Sequence, residues 1–316
     1  MTESRTLPDL LQALRGFQES RVLLTALELD ILPAVGAGAD AAAVAAKAGC
    51  DPRAAGMLLN ALTALGVLVK EGDRFRCTEA ARALGQERAG LMHMAHLWDT
   101  WSGLTRAVRS GSTPRFGPAG AQVEHFIAAM HTRARTITGD ALRVIGAKGV
   151  RRMLDVGGGP ATFAIAFAEA NPELRAEVLD LAAVLPIAQG HIREAGLQDR
   201  VTVREGDLRS DDLGAGYDLV LVSAICHMLS EDGNQNLLGR CVKALAPGGR
   251  VAIREFILDP DRAGPPTAAL FALNMLVGTP HGNTYTEAEY RSWLEAAGCR
   301  ESFRPVPDGD WIIGQR

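Results

Sequence analysis

Five short apolar runs in the second half of the chain each lead to a residue that can hold a ligand or move a proton. They lead to Asp155 (after Met153-Leu154), Asp180 (after Val178-Leu179), Asp207 (after Val201-Thr202-Val203 and Gly206), His227 (after Leu219 to Val222 and Ile225-Cys226) and Glu255 (after Val251 to Arg254). Helical stretches separate the runs, and buried strands of a parallel sheet read in this way. Ligands of such sheets bind at the carboxyl ends of the strands. Four carboxylates and one imidazole are therefore expected around one shared site.

The first of these ends opens a glycine loop, Asp155-Val156-Gly157-Gly158-Gly159-Pro160, ahead of a helix expected over Ala161 to Ala170. Glycines there allow positive φ and a close approach of backbone to ligand. A dinucleotide loop would carry a third glycine where Thr162 stands. Its pyrophosphate would also meet the negative charge of Asp155, so the loop suits a cationic ligand better. Asp180 lies a little over twenty residues further on, at the next strand end, where nucleotide-binding α/β folds place a carboxylate on ribose hydroxyls. Asp207 could accept from an adenine amino group. Taken together, the three aspartates fit an adenosine-containing ligand without phosphates, and S-adenosylmethionine, with its positive sulfonium and ammonium groups, is the candidate.

His227 suggests the reaction. An alcohol or phenol is a poor nucleophile until its proton leaves. A free phenol has a pKa of about 10 and a histidine about 6.5, so full deprotonation beforehand is uphill. Removal of the proton as a methyl group transfers is the sensible timing, and a placed base is worth roughly 10²–10⁴ in rate. A carboxylate on the other ring nitrogen would fix the tautomer and stabilise the imidazolium. Glu255 is the candidate for that carboxylate.

The elements that must position these residues begin near Val150. From there to the end the pattern is α/β, and Glu301 to Val306 with Trp311 to Gly314 read as a terminal hairpin around Pro307-Asp308-Gly309-Asp310. The first part of the chain is helical in pattern. Leu10, Leu11, Leu14 and Phe17 recur at helical spacing, as do Val22, Leu23, Ala26 and Leu27. Ala41 to Ala48 and Arg53 to Leu65 read as two helices joined at Gly49-Cys50-Asp51-Pro52. Asp51 is placed to cap the second, Pro52 suits its first turn, and Gly66 ends it. A short hairpin follows (Val67 to Val69, then Arg74 to Cys77 across Gly72-Asp73). Helix, turn, helix, hairpin is the winged-helix order. A groove-reading helix would show Arg, Lys, Asn or Gln along one face. Ala54 to Leu65 is nearly all apolar, which favours packing or dimerisation over DNA binding. Between the two parts, residues 90–145 form a bridging helical region holding Trp98, Trp101, Phe126, Met130 and His131, interrupted at Gly111 to Pro114 and at Gly117-Pro118.

Composition bounds the possibilities. The chain has 316 residues, 47% hydrophobic and 22% charged, with a formal net charge of −4, which does not favour a polyanionic partner. No stretch is long and apolar enough to span a membrane and the N-terminus shows no signal-peptide core, so a cytoplasmic location is expected. Cys50, Cys77, Cys226, Cys241 and Cys299 form no CxxC pair. His93, His96, His125 and His191 form no metal-ligand pattern, and no metal site is expected.

The combination Leu154-Asp155-Val156-Gly157-Gly158-Gly159, Leu179-Asp180-Leu181, Gly206-Asp207, Ile225-Cys226-His227 and Glu255-Phe256-Ile257-Leu258 resembles the small-molecule O-methyltransferase family, which includes the caffeic acid and acetylserotonin enzymes and their bacterial relatives. The likeness covers nearly the whole chain, including a late helix leading from Thr286-Glu287-Ala288-Glu289-Tyr290 to Gly298. It implies a doubly wound α/β fold with a mostly parallel seven-stranded sheet and a terminal antiparallel hairpin. It also implies an N-terminal, mainly helical, winged-helix-like dimerisation domain. The domains would be 1–90 for dimerisation, 91–145 as a helical bridge and 146–316 for S-adenosylmethionine. Gly157, Asp180, Asp207 and Leu208 would bind the cofactor, with Asp155, Gly159, Leu181 and Ser223 beside them. His227 would be the general base and Glu255 would orient it. Phe271, Asn274, Met275 and His281 would line the acceptor pocket, with Met130 and His131 closing it. The implied protein is a homodimer acting on a hydroxyl of an aromatic or polyketide-like small molecule.

The sequence departs from that family at several points. Pro160 and Ala161 replace the family's Thr-Gly after the loop, and Met228-Leu229 its frequent Asp-Trp after the histidine. Ser223 stands where plant members carry a lysine, and Thr284 where a second acidic partner of the histidine falls. Transfer to carbon or sulfur, non-methylating chemistry, a ligand-sensing winged-helix regulator and a nicotinamide oxidoreductase are the rival readings. Neither a groove-reading helix nor a dinucleotide loop is present to favour the last two.

Overall fold

A computed structural model of the protein describes residues 4–111, 113 and 121–316. The expected interruptions at Ser112, Pro114 and Gly117-Pro118 lie outside the described residues. The chain divides into two compact units between Leu97 and Trp98.

The first unit contains α1 (Leu7–Glu28), α2 (Ile31–Val35), β1 (Ala39–Asp40), α3 (Ala41–Ala48), α4 (Pro52–Ala64), β2 (Leu68–Glu71), β3 (Arg74–Cys77) and α5 (Glu79–Gln86), and α6 (Arg88–Trp101) contains the division. Local chemistry sets the boundaries. Asp51 accepts from the Ala54 N–H at 2.8 Å and Pro52 opens α4, while Gly66 follows its end at φ +73°. Strands β2 and β3 form the expected hairpin, and β1 adds to β3, giving the order β1-β3-β2. Val44, Leu59, Leu62, Leu68 and Phe75 make its core. Ala55, Leu59 and Leu62 are the buried residues of α4, so its apolar character is spent on packing.

One helix in this unit is exceptional. Every residue from 4 to 20 is exposed, yet α1 carries Leu7, Leu10, Leu11, Leu14 and Phe17. These are 45–71% exposed and follow helical spacing, so one face of α1 is an uncovered apolar stripe.

The second unit contains α7 (Leu104–Ser110), α8 (Ala121–Ile145), β4 (Arg152–Val156), α9 (Thr162–Ala170), β5 (Arg175–Asp180), α10 (Leu185–Glu194), β6 (Val201–Glu205) and β7 (Tyr217–Ser223). It continues with α11 (Glu231–Ala244), β8 (Leu245–Arg254), β9 (Ile257–Leu258), α12 (Pro266–Gly278), β10 (Tyr285–Thr286), α13 (Glu287–Ala296), β11 (Glu301–Phe303) and β12 (Trp311–Gln315). Its main sheet has the order β11-β12-β8-β7-β4-β5-β6. The five strands β4 to β8 are mutually parallel, and β12 and β11 close the sheet as the antiparallel hairpin. Side chains alternate between two cores. Leu154, Val156, Val220 and Val222 pack on the side of α11 and α13, and Met153, Leu219, Leu221 and Ala252 on the side of α8, α9 and α10. Helices on both faces make the sheet doubly wound. A small parallel pair, β9 with β10, lies outside what the sequence pattern predicts. No helix among the described residues is long and apolar enough to cross a membrane.

The strand order reverses between β4 and β7. Chain order runs outward from β4 through β5 to β6 on one side, and from β7 to β8 on the other. That is the topological switch point, where a crevice opens at the carboxyl ends. The glycine loop leaves β4 and the His227 segment leaves β7, so the two flank the crevice.

Candidate active site

On the β4 side, backbone geometry builds a cradle. The Gly157 N–H bonds the Leu179 carbonyl at 2.7 Å, tying the loop to β5, and Gly157 has φ +65°. A Cβ at this position would collide with Ile225 Cδ1, and one at Gly158 would lie 2.6 Å from Asp155 Cγ. Neither position admits a side chain without a shift of its surroundings. The Gly159 N–H donates to Asp180 Oδ2 at 2.8 Å and the Leu181 N–H to Asp180 Oδ1 at 2.7 Å. Burial raises the Asp180 pKa, and these two donors partly offset it. Leu181, next in the chain, is 53% exposed, an apolar side chain free to meet a flat ring. Leu208 touches the same loop, 3.2 Å from where a Gly157 Cβ would stand. These residues fit an adenosyl group: a carboxylate at the β5 end, an exposed apolar face beside it and a loop stripped to backbone.

Asp155, expected beside the cofactor, is engaged within the fold. It is 1% exposed, and it accepts a hydrogen bond from the Ala164 N–H in the first turn of α9. The residue preceding that helix is Ala161, which is left-handed at φ +63° and offers no side-chain cap. Asp155 thus caps α9 from the strand below, a job that its position in the sequence does not reveal. Among the described residues its buried Oδ2 has no hydrogen-bond partner, and burial, with Asp180 nearby, raises its pKa to about 7. Helix α9 starts one residue later than expected because Ala161 holds the left-handed conformation that glycine adopts most easily.

Asp207 is also engaged within the chain. Arg209 donates to it from Nε at 3.0 Å, from Nη2 at 2.9 Å and from the backbone at 2.9 Å. This ion pair holds its carboxyl below the usual range. Accepting from an adenine amino group would require Arg209 to yield.

On the β7 side, Cys226–Met228 forms a single 3₁₀ turn. His227 Nδ1 lies 2.7 Å from Glu255 Oε2, and the His227 backbone N–H donates to Oε1 at 3.3 Å. Both residues are buried, Glu255 at 2% exposure and His227 at 7%. Asn234 Nδ2 donates to the Cys226 carbonyl at 2.9 Å, and the Asn283 N–H to the His227 carbonyl at 2.9 Å, so the turn is fixed on both sides. A carboxylate can only accept, so the neutral ring carries its proton on Nδ1 and presents the lone pair of Nε2. Phe271 meets the imidazole edge-on with centroids 4.8 Å apart. Ser223 ends β7, half-buried.

The expected acceptor residues separate. Phe271 stands beside His227. Asn274 accepts from the Trp101 indole at 2.8 Å, and Met275 is buried. Met130 is half-buried on α8, while His281 is exposed. His131 lies at a different place from the rest: its Nδ1 is 2.8 Å from Thr162 Oγ1, and its ring meets His191 at 4.1 Å. That sets it against the first turn of α9. Thr284, where a second acid would fall, is fully buried and donates to the Ala268 carbonyl. Arg133, which no motif of the sequence marks, stands over Phe256 with its guanidinium carbon 4.5 Å from the ring centroid.

Comparison with known proteins identifies the family. Residues 118–300 match the O-methyltransferase domain model and residues 11–87 the O-methyltransferase dimerisation domain model. The 3-hydroxy-5-methyl-1-naphthoate 3-O-methyltransferase of Streptomyces sahachiroi is 35% identical over 90% of this chain and 87% of its own length. The tetracenomycin polyketide synthesis 8-O-methyl transferase TcmO of Streptomyces glaucescens is 32% identical over 92% of this chain and 90% of its own. The solved structure of PigF with SAH superposes with a TM-score of 0.87 at 27% identity, covering 99% of this chain and all of that one. With the cradle at the switch point and both domain models in place, the chain belongs to the family of S-adenosylmethionine-dependent O-methyltransferases that carry an N-terminal dimerisation domain.

Proposed function

We propose that this protein methylates a hydroxyl group of an aromatic, polyketide-derived small molecule, with His227 as the general base and Glu255 as its positioning residue. The observation that carries this reading is the 2.7 Å contact between His227 Nδ1 and Glu255 Oε2, buried at the switch point beside the cofactor cradle. Bound S-adenosylmethionine supplies a methyl carbon made electrophilic by its positive sulfur. The chain's own part is to hold the acceptor in line and to receive its proton. Nε2 takes the proton as the acceptor oxygen attacks, and the carboxylate of Glu255 stabilises the imidazolium that results. The named substrates of the two Streptomyces relatives, a hydroxynaphthoate and a tetracenomycin polyketide, support the acceptor class.

Asp180 is read as the ribose ligand, with Gly157, Gly159, Leu181 and Leu208 around the adenosyl group. The first unit is read as a winged-helix-like module for homodimerisation, with the α1 stripe as part of the contact, and the enzyme as cytoplasmic.

The test is turnover of hydroxylated aromatic acids with S-adenosylmethionine, with the methylated atom identified by NMR. His227→Ala should keep cofactor affinity by calorimetry and lose turnover by roughly 10²–10⁴. Unchanged turnover removes His227 from the chemistry, and a product methylated on carbon removes the hydroxyl.

A further inference from the structure

Among the described residues, Arg133 is a cation near His227 with no ion-pair partner. Arg133 projects from α8 with its guanidinium over the Phe256 ring at 4.5 Å. Phe256 stacks on Phe271 with centroids 3.9 Å apart and planes 25° from parallel, and Phe271 meets His227 at 4.8 Å. Guanidinium, two phenyl rings and imidazole therefore form one continuous wall.

Among the described residues, the acids whose charge acts on Arg133 are Asp310 and Glu255, and both are paired elsewhere. Asp310 pairs with the buried Arg254 at 3.0 Å, and Glu255 with His227. Arg254 is itself positive and repels Arg133. Among the described residues Arg133 has no ion-pair partner. A guanidinium lying against an aromatic face is held by that face, while its N–H donors point outward in their own plane. The group that matches such a fork with two parallel bonds is a carboxylate. An anion there would also relieve the repulsion between the two arginines. Phe256 is 6.5 Å from the His227 ring. This distance and the 4.5 Å to the guanidinium, laid end to end, bound the gap between base and cation. A flat fused-ring acceptor lying along the phenyl wall can bridge that gap.

We propose that Arg133 selects acceptors bearing a carboxylate, so that an aromatic hydroxy acid lies along Phe256 and Phe271 with its hydroxyl at His227 and its carboxylate on the guanidinium. This inference rests on the hydroxyl-methylating reading above and adds the charge of the acceptor to it.

The test compares a hydroxynaphthoic acid with the naphthol left by removing its carboxyl, in the full-length enzyme. The wild type should favour the acid in kcat/KM by roughly tenfold to a hundredfold, the worth of a hydrogen bond to a charged group. Arg133→Met should bring that ratio close to one, mostly through KM, and Arg133→Lys should fall between. A ratio that is the same in wild type and Arg133→Met, or a wild type that prefers the naphthol, overturns the proposal. If the wild type methylates neither compound, the hydroxyl-transfer reading fails by itself. Calorimetric titration of the acid, with S-adenosylhomocysteine present, then decides the carboxylate contact separately. Weaker binding to Arg133→Met supports the contact, and equal affinity of wild type and variant overturns it.

Discussion

Replacing Asp155 by asparagine should make the protein less sensitive to alkaline pH. The Asp155 carboxyl is buried, has one oxygen without a hydrogen-bond partner among the described residues, and has its pKa raised to about 7, against 3.8 for an exposed group, because burial and then Asp180 oppose its charge. The unfolded chain releases this proton near pH 3.8, while the folded chain holds it to about pH 7. The stabilising contribution is therefore complete below the unfolded value and is lost as pH rises through the folded one. Asparagine has nearly the same shape, still accepts from the Ala164 N–H and does not titrate. At 1.36 kcal/mol per pKa unit, the wild type should lose about 2–3 kcal/mol relative to Asp155→Asn between pH 5 and pH 8. Urea unfolding of both proteins without cofactor, at intervals across that range, reads the difference directly. A difference that is flat with pH would mean that the carboxyl ionises freely in the folded chain, and that the capping role and burial assigned to it are wrong.

Two further outcomes are expected. Glu255→Gln keeps an acceptor for His227 Nδ1 but removes the charge that stabilises the imidazolium. Turnover should fall by roughly tenfold to a hundredfold with cofactor affinity intact, and wild-type turnover would show that the carboxylate is incidental. Leu14→Glu combined with Phe17→Glu should convert a dimer to a folded monomer in analytical ultracentrifugation, because both side chains lie on the exposed stripe of α1. A wild type that is already monomeric contradicts the homodimer.

The strand-end residues were legible because buried parallel strands read as uninterrupted apolar runs, and the residue ending a run is fixed by the run itself. Gly157, Asp180, His227 and Glu255 all came from that logic. Which way a side chain points was not legible. Asp155 and Asp180 end neighbouring strands with the same chemistry, yet one turns beneath the loop to cap α9 and the other holds the loop from its edge. The pleat and the loop path decide between them, and neither is written in residue type. Arg133 looks like any solvated arginine on a helix until Phe256, far along the chain, is set beneath it. The bond between Trp101 and Asn274 joins residues 173 positions apart, and the contacts of His131 with Thr162 and His191 likewise join distant segments. Such placements follow from packing between distant segments, which local periodicity does not encode.

The order of strands in the sheet also has a consequence for how the enzyme is made. Strand β12 lies between β8 and β11, antiparallel to both, and Trp311, Ile312 and Ile313 are buried there. During synthesis β8 emerges long before β12, and its free edge, lined by Val251, Ala252 and Ile253, has no partner until the late strand arrives. An open apolar edge is a template for pairing with another chain. The parallel half of the sheet and the crevice can therefore assemble early on the ribosome, but the edge next to His227 and Glu255 stays exposed until translation has passed β12. Stalled or truncated chains should accordingly be the ones that chaperones capture and that aggregate.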